Sequence, residues 1–150
     1  MSRNPSEPVV KAWIRLMRAR EAVLAAIEHD LKAGDGLPLA WYDVLLELTR
    51  AEGGRLRPFE IEAKTLLAQY NLSRLLDRLE KEELVSREPC ADDARGQWAV
   101  ITEKGRAAQA RTWKVYARAI QKHVGDRLDD KAASQLADLL GRLASENSPR

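Results

Sequence analysis

The chain has 150 residues with a formal charge of +2, 45% apolar and 32% charged residues, a balance that suits a folded soluble chain and argues against wholesale disorder. That length fits one domain, or one small module with the helices that hold it in a dimer, and no apolar run approaches the roughly 20 residues needed to span a bilayer. With Cys90 alone no internal disulfide forms, and His29 and His123 leave no constellation for a metal or cofactor, so a cytoplasmic protein without a cofactor is expected.

Residues Met1 to Pro8 carry two prolines and no apolar periodicity, and the tail from Ser145 is polar, so both ends are expected to be loose. From Pro8 to Ala33, Val9, Trp13, Leu16, Met17, Val23, Leu24, Ile27 and Leu31 recur at helical spacing. Gly34-Asp35-Gly36 breaks that helix and Pro38 opens a second, with Trp41, Val44, Leu45 and Leu48 as its buried face, ending at Glu52-Gly53-Gly54. Pro58 to Lys64 forms a short third helix that offers Phe59 and Ile61 or Ala63 to the core. Thr65-Leu66-Leu67 is a tight connection, and a fourth helix from Ala68 to Glu83 carries Leu72, Leu75, Leu76 and Leu79 on one side. Two helices joined so closely suggest a helix-turn-helix.

After Leu84 the pattern turns to strand: Val85 to Glu88, a polar turn from Pro89 to Gly96, then Trp98 to Thr102 returning. Glu103 to Val124 is again helical, with Ala110, Trp113, Ala117, Ile120 and Val124 as its stripe, and Gly125 closes it. Asp129 or Asp130 caps a last helix with Ala132, Leu136, Leu139 or Leu140, and Leu143 inward. The fold class is therefore mainly α with a small β-hairpin wing: a winged helix-turn-helix lobe over about 36–102, with outer helices over about 8–33 and 103–146, all in one domain of 1–150. The outer helices share too little chain for a core of their own, so a second subunit is the economical partner.

Helical spacing puts Tyr70, Ser73, Arg74, Asp77, Arg78 and Lys81 across from or beside the fourth helix's leucines. Such a face suits a DNA major groove, with Gln69, Tyr70, Asn71, Ser73 and Arg74 nearest the base edges: arginine pairs two acceptors on guanine, and glutamine or asparagine does the same with adenine. Bulk charge does not distinguish this from an ordinary solvated face. From Arg55 to Arg87 there are seven Lys and Arg against six Asp and Glu, and Asp77 with Lys81 can form an i,i+4 pair. The hairpin downstream favours DNA, because its tip offers Arg95 to a narrow minor groove with Asp93 close enough to orient it. A purely structural Asp93–Arg95 pair is the alternative there.

Asn71 to Gly105 resembles the recognition helix and wing of MarR-family regulators, whose pattern runs S-R-L-x-D-R-L-E, G-L-V-x-R, D-x-R and L-T-x-x-G. The resemblance implies a recognition helix bearing Arg74 and Arg78, a wing bearing Asp93 and Arg95, and a dimer formed by the terminal helices. It also implies a ligand-responsive repressor that binds double-stranded DNA at an inverted-repeat operator. Three positions depart from the pattern: Glu83 replaces a glycine, Ala94 an arginine, and Ala68 a serine that caps the recognition helix. Regulators of this family often answer to small aromatic or anionic effectors held between the dimer helices and the DNA-binding lobe. Trp13, Trp41, Tyr42, Trp113 and Tyr116 would border such a cleft, though core packing is the expected role for most of them, because large rings carry large burial energies.

The rival readings are a winged-helix module that binds protein, and a thiol-responsive regulator using Cys90 beside the wing; thiol-sensing relatives carry their cysteine on the first helix instead. An enzyme is disfavoured, since the chain has no Gly-rich phosphate loop, no nucleophile elbow and no spaced carboxylate or histidine set, with His123 read as packed or solvated.

Overall fold

The computed structural model describes residues 3–65, 69–91 and 93–147, and their side chains except those of 69, 70, 93–95 and 145–147. Helix α1, Glu7–Ala33, begins where the sequence led us to expect a loose end, because Ser6 caps it: the Ser6 hydroxyl accepts from the Val9 amide at 3.4 Å. Helix α2 spans Leu39–Arg50 and ends in a 3₁₀ turn at Glu52–Gly54. There Gly53 and Gly54 take φ of 71° and 65°, a left-handed bend open to glycine without steric cost. The bend aims the chain into β1, Arg55–Leu56, a strand too short for periodicity to reveal.

Helix α3 covers Pro58–Lys64 as expected from its proline, and it buries Ile61 while Phe59 stays exposed. Helix α4 runs Gln69–Lys81, and the sheet is completed by β2, Val85–Cys90, and β3, Asp93–Ile101. The strand order is β1-β3-β2, all antiparallel, with Val85 opposite Ile101 and Leu56 opposite Ala99. The hairpin strands reach further toward the tip than the sequence suggested, taking in Pro89, Cys90 and Gly96, with a register irregularity at Pro89 and Cys90. Pro89 survives there because such irregularities and edge strands do without a ladder donor. The sequence-predicted connection at Leu66 and Leu67, and the cap position Ala68, lie outside the described residues.

Val44, Leu45, Leu48, Leu56, Ile61, Leu72, Leu75, Leu76, Leu79, Leu84, Val85, Ala99 and Ile101 form one core between α2, α3, α4 and the sheet. Helix α5, Glu103–Ile120, joins it through small residues. Its buried face is Gly105, Ala108, Thr112 and Ala119; of the stripe that spacing suggested, Ala110 and Trp113 are exposed, while Ile120 packs against the α1–α5 cluster. A Cβ on Gly105 would strike the Leu84 carbonyl oxygen, so only glycine lets α5 start this close to the corner after α4. Thr102 fixes that corner: its hydroxyl accepts from the Gly105 amide at 2.9 Å and donates to the Glu83 carbonyl at 2.7 Å.

A second, smaller cluster of Ile27, Leu31 and Ala119, with Val23, Leu39, Val115, Tyr116 and Ile120 against it, packs α1 on α5 within one chain. The outer helices thus have a modest core of their own. A π turn at Gln121–Gly125 ends α5, and His123 Nε2 lies 2.8 Å from Asp30 Oδ2, tying the turn to α1 where the sequence had offered only packing or solvation. That hydrogen bond holds the Asp30 carboxyl below its ordinary value. Helix α6, Asp130–Asn147, is capped by Asp129, whose carboxylate accepts from the Ala132 amide at 2.8 Å. Among the described residues no helix is long and apolar enough to cross a membrane.

Where α2 meets α5, Tyr42 is buried and meets Tyr116 edge-on at 5.2 Å and Trp113 in a stacked contact at 6.4 Å. Burial, then the neighbouring Glu47, raises the Asp43 carboxyl above its usual range, and burial followed by Asp43 raises the Tyr116 phenol. A carboxyl whose folded pKa lies above its unfolded one costs stability while it is ionised, and the cost disappears as pH falls through the folded value. Asp43→Asn is therefore expected to raise the urea midpoint at pH 7, with the advantage vanishing in acid; an advantage that persists unchanged in acid would contradict this cause.

Glu83 stands at φ 64°, in the left-handed conformation that ends α4, with its amide on the Glu80 carbonyl and the Leu84 amide on that of Leu79. Its 4.0 Å contact to Lys104 is solvent-exposed and offers little in return. The conformation costs a side-chain-bearing residue about 1–2 kcal/mol, of which glycine's extra chain entropy gives back part. Glu83→Gly should accordingly stabilise the fold by about 0.5–1 kcal/mol in chemical unfolding. A loss of stability would show that the turn does not strain Glu83.

Candidate nucleic-acid interface

Leu72, Leu75, Leu76 and Leu79 are buried, so the rotation of α4 about its axis is settled by its apolar side. Asn71, Ser73, Arg74, Asp77, Arg78 and Lys81 are consequently exposed on the outward face. Gln69 and Tyr70 form the first residues of the helix, but their side chains lie outside the described residues. The face is not sealed by neighbouring chain: Pro38, Ala40 and Trp41 stand beside Asn71, Arg74, Leu75 and Arg78 and leave an open cleft of about 330 Å³.

Asp77 does not depend on Lys81 for a partner as the i,i+4 spacing suggested. It accepts a hydrogen bond from Arg87 Nη2 at 3.1 Å, which joins α4 to β2. The wing itself is the β2–β3 hairpin. Asp93, Ala94 and Arg95 open β3, and their side chains too lie outside the described residues. Cys90 is 5% exposed and packed inward at the end of β2, so its thiol is shielded and the thiol-responsive reading gains no support from its surroundings.

One feature of the wing base escaped sequence reasoning. The Arg55 and Arg57 guanidiniums lie 4.4 and 5.0 Å from the Trp98 ring centroid. Arg55 pairs with Val100 across β1 and β3, which sets the first arginine beside the tryptophan, and Arg57 precedes α3. Such contacts hold the cations in place. Arg55 and Trp98 border a concavity of about 800 Å³ whose other walls mix Glu47, Arg50, Glu60, Lys64 and Glu88, charges of both signs. Only the pairing of a two-residue strand reveals the cluster.

The aromatics proposed to border an effector cleft divide into three places. Tyr42, Trp113 and Tyr116 form the α2–α5 cluster, in which Tyr42 is core and Trp113 is 47% exposed. Trp41 faces the other way, and with Leu37, Leu84, Lys104 and Arg111 it lines a small cleft of about 210 Å³. Trp13 lies on the exposed outer half of α1 with Val9, Val10, Ile14 and Met17.

Comparison with known proteins places this geometry. Residues 35–96 match the MarR family model, a span that contains α2, the sheet's first strand, both helices of the helix-turn-helix and the wing tip. An uncharacterized HTH-type transcriptional regulator of Bacillus cereus is 28% identical over 131 residues, covering 87% of this chain and 85% of the relative. A MarR-family transcriptional regulator from Streptomyces coelicolor, solved in complex with DNA, superposes with a TM-score of 0.91 at 27% identity over 99% of this chain and 93% of that one. AbsC, another MarR-family regulator from Streptomyces coelicolor, gives a TM-score of 0.86 at 27% identity over 97% of each chain. With its leucine-anchored α4, its three-stranded wing sheet and its flanking helices, the chain has the fold of MarR-family transcriptional regulators and matches that family's model across the helix-turn-helix and most of the wing.

Proposed function

We propose that the chain is a homodimeric, sequence-specific regulator that reads double-stranded DNA with the outward face of α4. Gln69, Tyr70, Asn71, Ser73, Arg74, Arg78 and Lys81 are presented to a major groove, and Asp93 and Arg95 of the wing to the adjoining minor groove. The observation that supports this most is the commitment of α4: its leucines are spent on the core, and its polar, cationic face is left to solvent on a fold whose Streptomyces coelicolor counterpart was solved with DNA bound.

The dimer is supported by apolar surface that one chain leaves bare. Val9, Val10, Trp13, Ile14 and Met17 of α1, with Leu136, Leu139, Leu140 and Leu143 of α6, are exposed in the monomer. A patch of that kind seeks a partner, and a second copy supplies the same helices. Two recognition helices related by a two-fold axis call for an inverted repeat with half-site centres about 10 bp apart. Covering a promoter represses it. A small aromatic or anionic effector acts by favouring a different spacing of the two helices. The Trp41 cleft, with Lys104 and Arg111 beside an apolar floor, has the composition to receive one.

Selection from random duplexes tests the assignment and returns the operator. It should yield an inverted repeat bound by the wild-type chain. Arg74→Ala should weaken binding by roughly 1–3 kcal/mol and relax base preference at one position of each half-site. Arg95→Ala should weaken binding with little change in major-groove preference. The assignment of this surface fails if neither substitution alters binding.

A further inference from the structure

Asp77 lies in the middle of the outward face of α4, with Ser73 and Arg74 one turn before it and Lys81 one turn after. Arg87, its partner at 3.1 Å, stands in β2 opposite Ala99 of β3. The pair is thus a side-chain bridge from the recognition helix to the strand that leads into the wing. Its two ends differ in setting: the Arg87 side chain is 20% exposed and that of Asp77 is 72% exposed. In its enclosed position Arg87 keeps a buried Nε that finds no hydrogen-bond partner among the described residues.

Stability does not account for this arginine. An ion pair whose carboxylate is largely exposed is screened by solvent and adds little to stability, and the buried, unpaired Nε of the arginine adds a cost. A methionine at 87 would cover the same space beneath β2 without that cost. Attraction to DNA does not account for the aspartate either, since an exposed carboxylate on a surface that meets phosphates repels them. What the pair does supply is geometry. Thr102 pins the base of the hairpin to the end of α4 through the Glu83 carbonyl, and Arg87 to Asp77 adds a second tie further up the helix and further out along the strand. Two ties along a hairpin fix its angle where one leaves a pivot.

We propose that the Arg87–Asp77 pair is a strut that holds the wing at a fixed angle to α4, so that both parts of the reading surface engage one duplex together. Asp77 and Arg87 are positioning residues, not base readers. The proposal rests on the DNA-reading assignment made above.

The test uses the full chain on its selected duplex, with Asp77→Asn, Arg87→Met and the double variant, each measured for affinity, thermal midpoint and hydroxyl-radical footprint. Arg87→Met should fold with an unchanged or higher midpoint. Each single variant should lose about tenfold in affinity, and the double variant no more than the worse single, because all three remove one interaction. Protection should fade first in the minor-groove flanks while base preference in the major groove is kept. The sign for Asp77→Asn is the sharpest discriminator: a strut predicts weaker binding, and a merely solvated anion predicts tighter binding. Equal or tighter binding by Asp77→Asn, losses that add in the double variant, or loss of major-groove preference overturns the strut. A wild-type chain that selects no duplex overturns the DNA reading itself, and the strut with it.

Discussion

Four leucines decide what this chain shows to the outside. Leu72, Leu75, Leu76 and Leu79 are each buried against α2, α3 and the sheet, and each such side chain is worth about 1.5–3 kcal/mol of apolar burial. Their sum exceeds the about 1–2 kcal/mol that the left-handed Glu83 costs at the end of the same helix. The helix therefore cannot rotate to hide its cations, and Arg74, Arg78 and Lys81 are outward because the leucines are inward. The corner behind it depends on the same packing, since Leu84 follows the turn into the core and its carbonyl leaves room at Gly105 for nothing larger than hydrogen.

The wing is joined to this helix by backbone and side chain alike. Thr102 bonds both ends of the corner, and Arg87 reaches Asp77 across it, so the hairpin is an extension of the scaffold of α4. Arg55 and Arg57 stacked on Trp98 stiffen the opposite side of the sheet. Helix α5 meets this lobe through Gly105, Ala108, Thr112 and the ring cluster with Tyr42, while α1 packs on α5 through Ile27, Leu31 and Ala119 and the His123–Asp30 bond.

Much of this was legible before any coordinates. The α4 face followed from leucine spacing, α3 from the proline at its start, and an aspartate cap on α6 from the pair Asp129 and Asp130, of which Asp129 is the one that bonds. What was not legible has physical reasons. Strand β1 is two residues long and is defined by what it pairs with, so the arginine–tryptophan cluster it creates was hidden too. Helix α5 was read from the spacing of Ala110, Trp113, Ala117, Ile120 and Val124, yet it meets the lobe through Gly105, Ala108 and Thr112, because the small residues permit a close approach that bulk would prevent. Asp77 looked like half of an i,i+4 pair, and its partner came from a strand ten residues on. The family's glycine position filled by Glu83 was visible as a departure, and the structure gives it meaning: the backbone still takes the glycine conformation.

The central claim is that the outward face of α4 and the wing bind the phosphate-flanked grooves of duplex DNA and not a protein surface. The near balance of charge in this segment cannot decide that, but the ionic-strength dependence of binding can. Measured for the wild-type chain on its selected duplex, the logarithm of affinity should fall linearly with the logarithm of salt concentration, at about 0.9 per phosphate neutralised. A slope near zero would contradict the account and point to a protein partner for the winged-helix lobe.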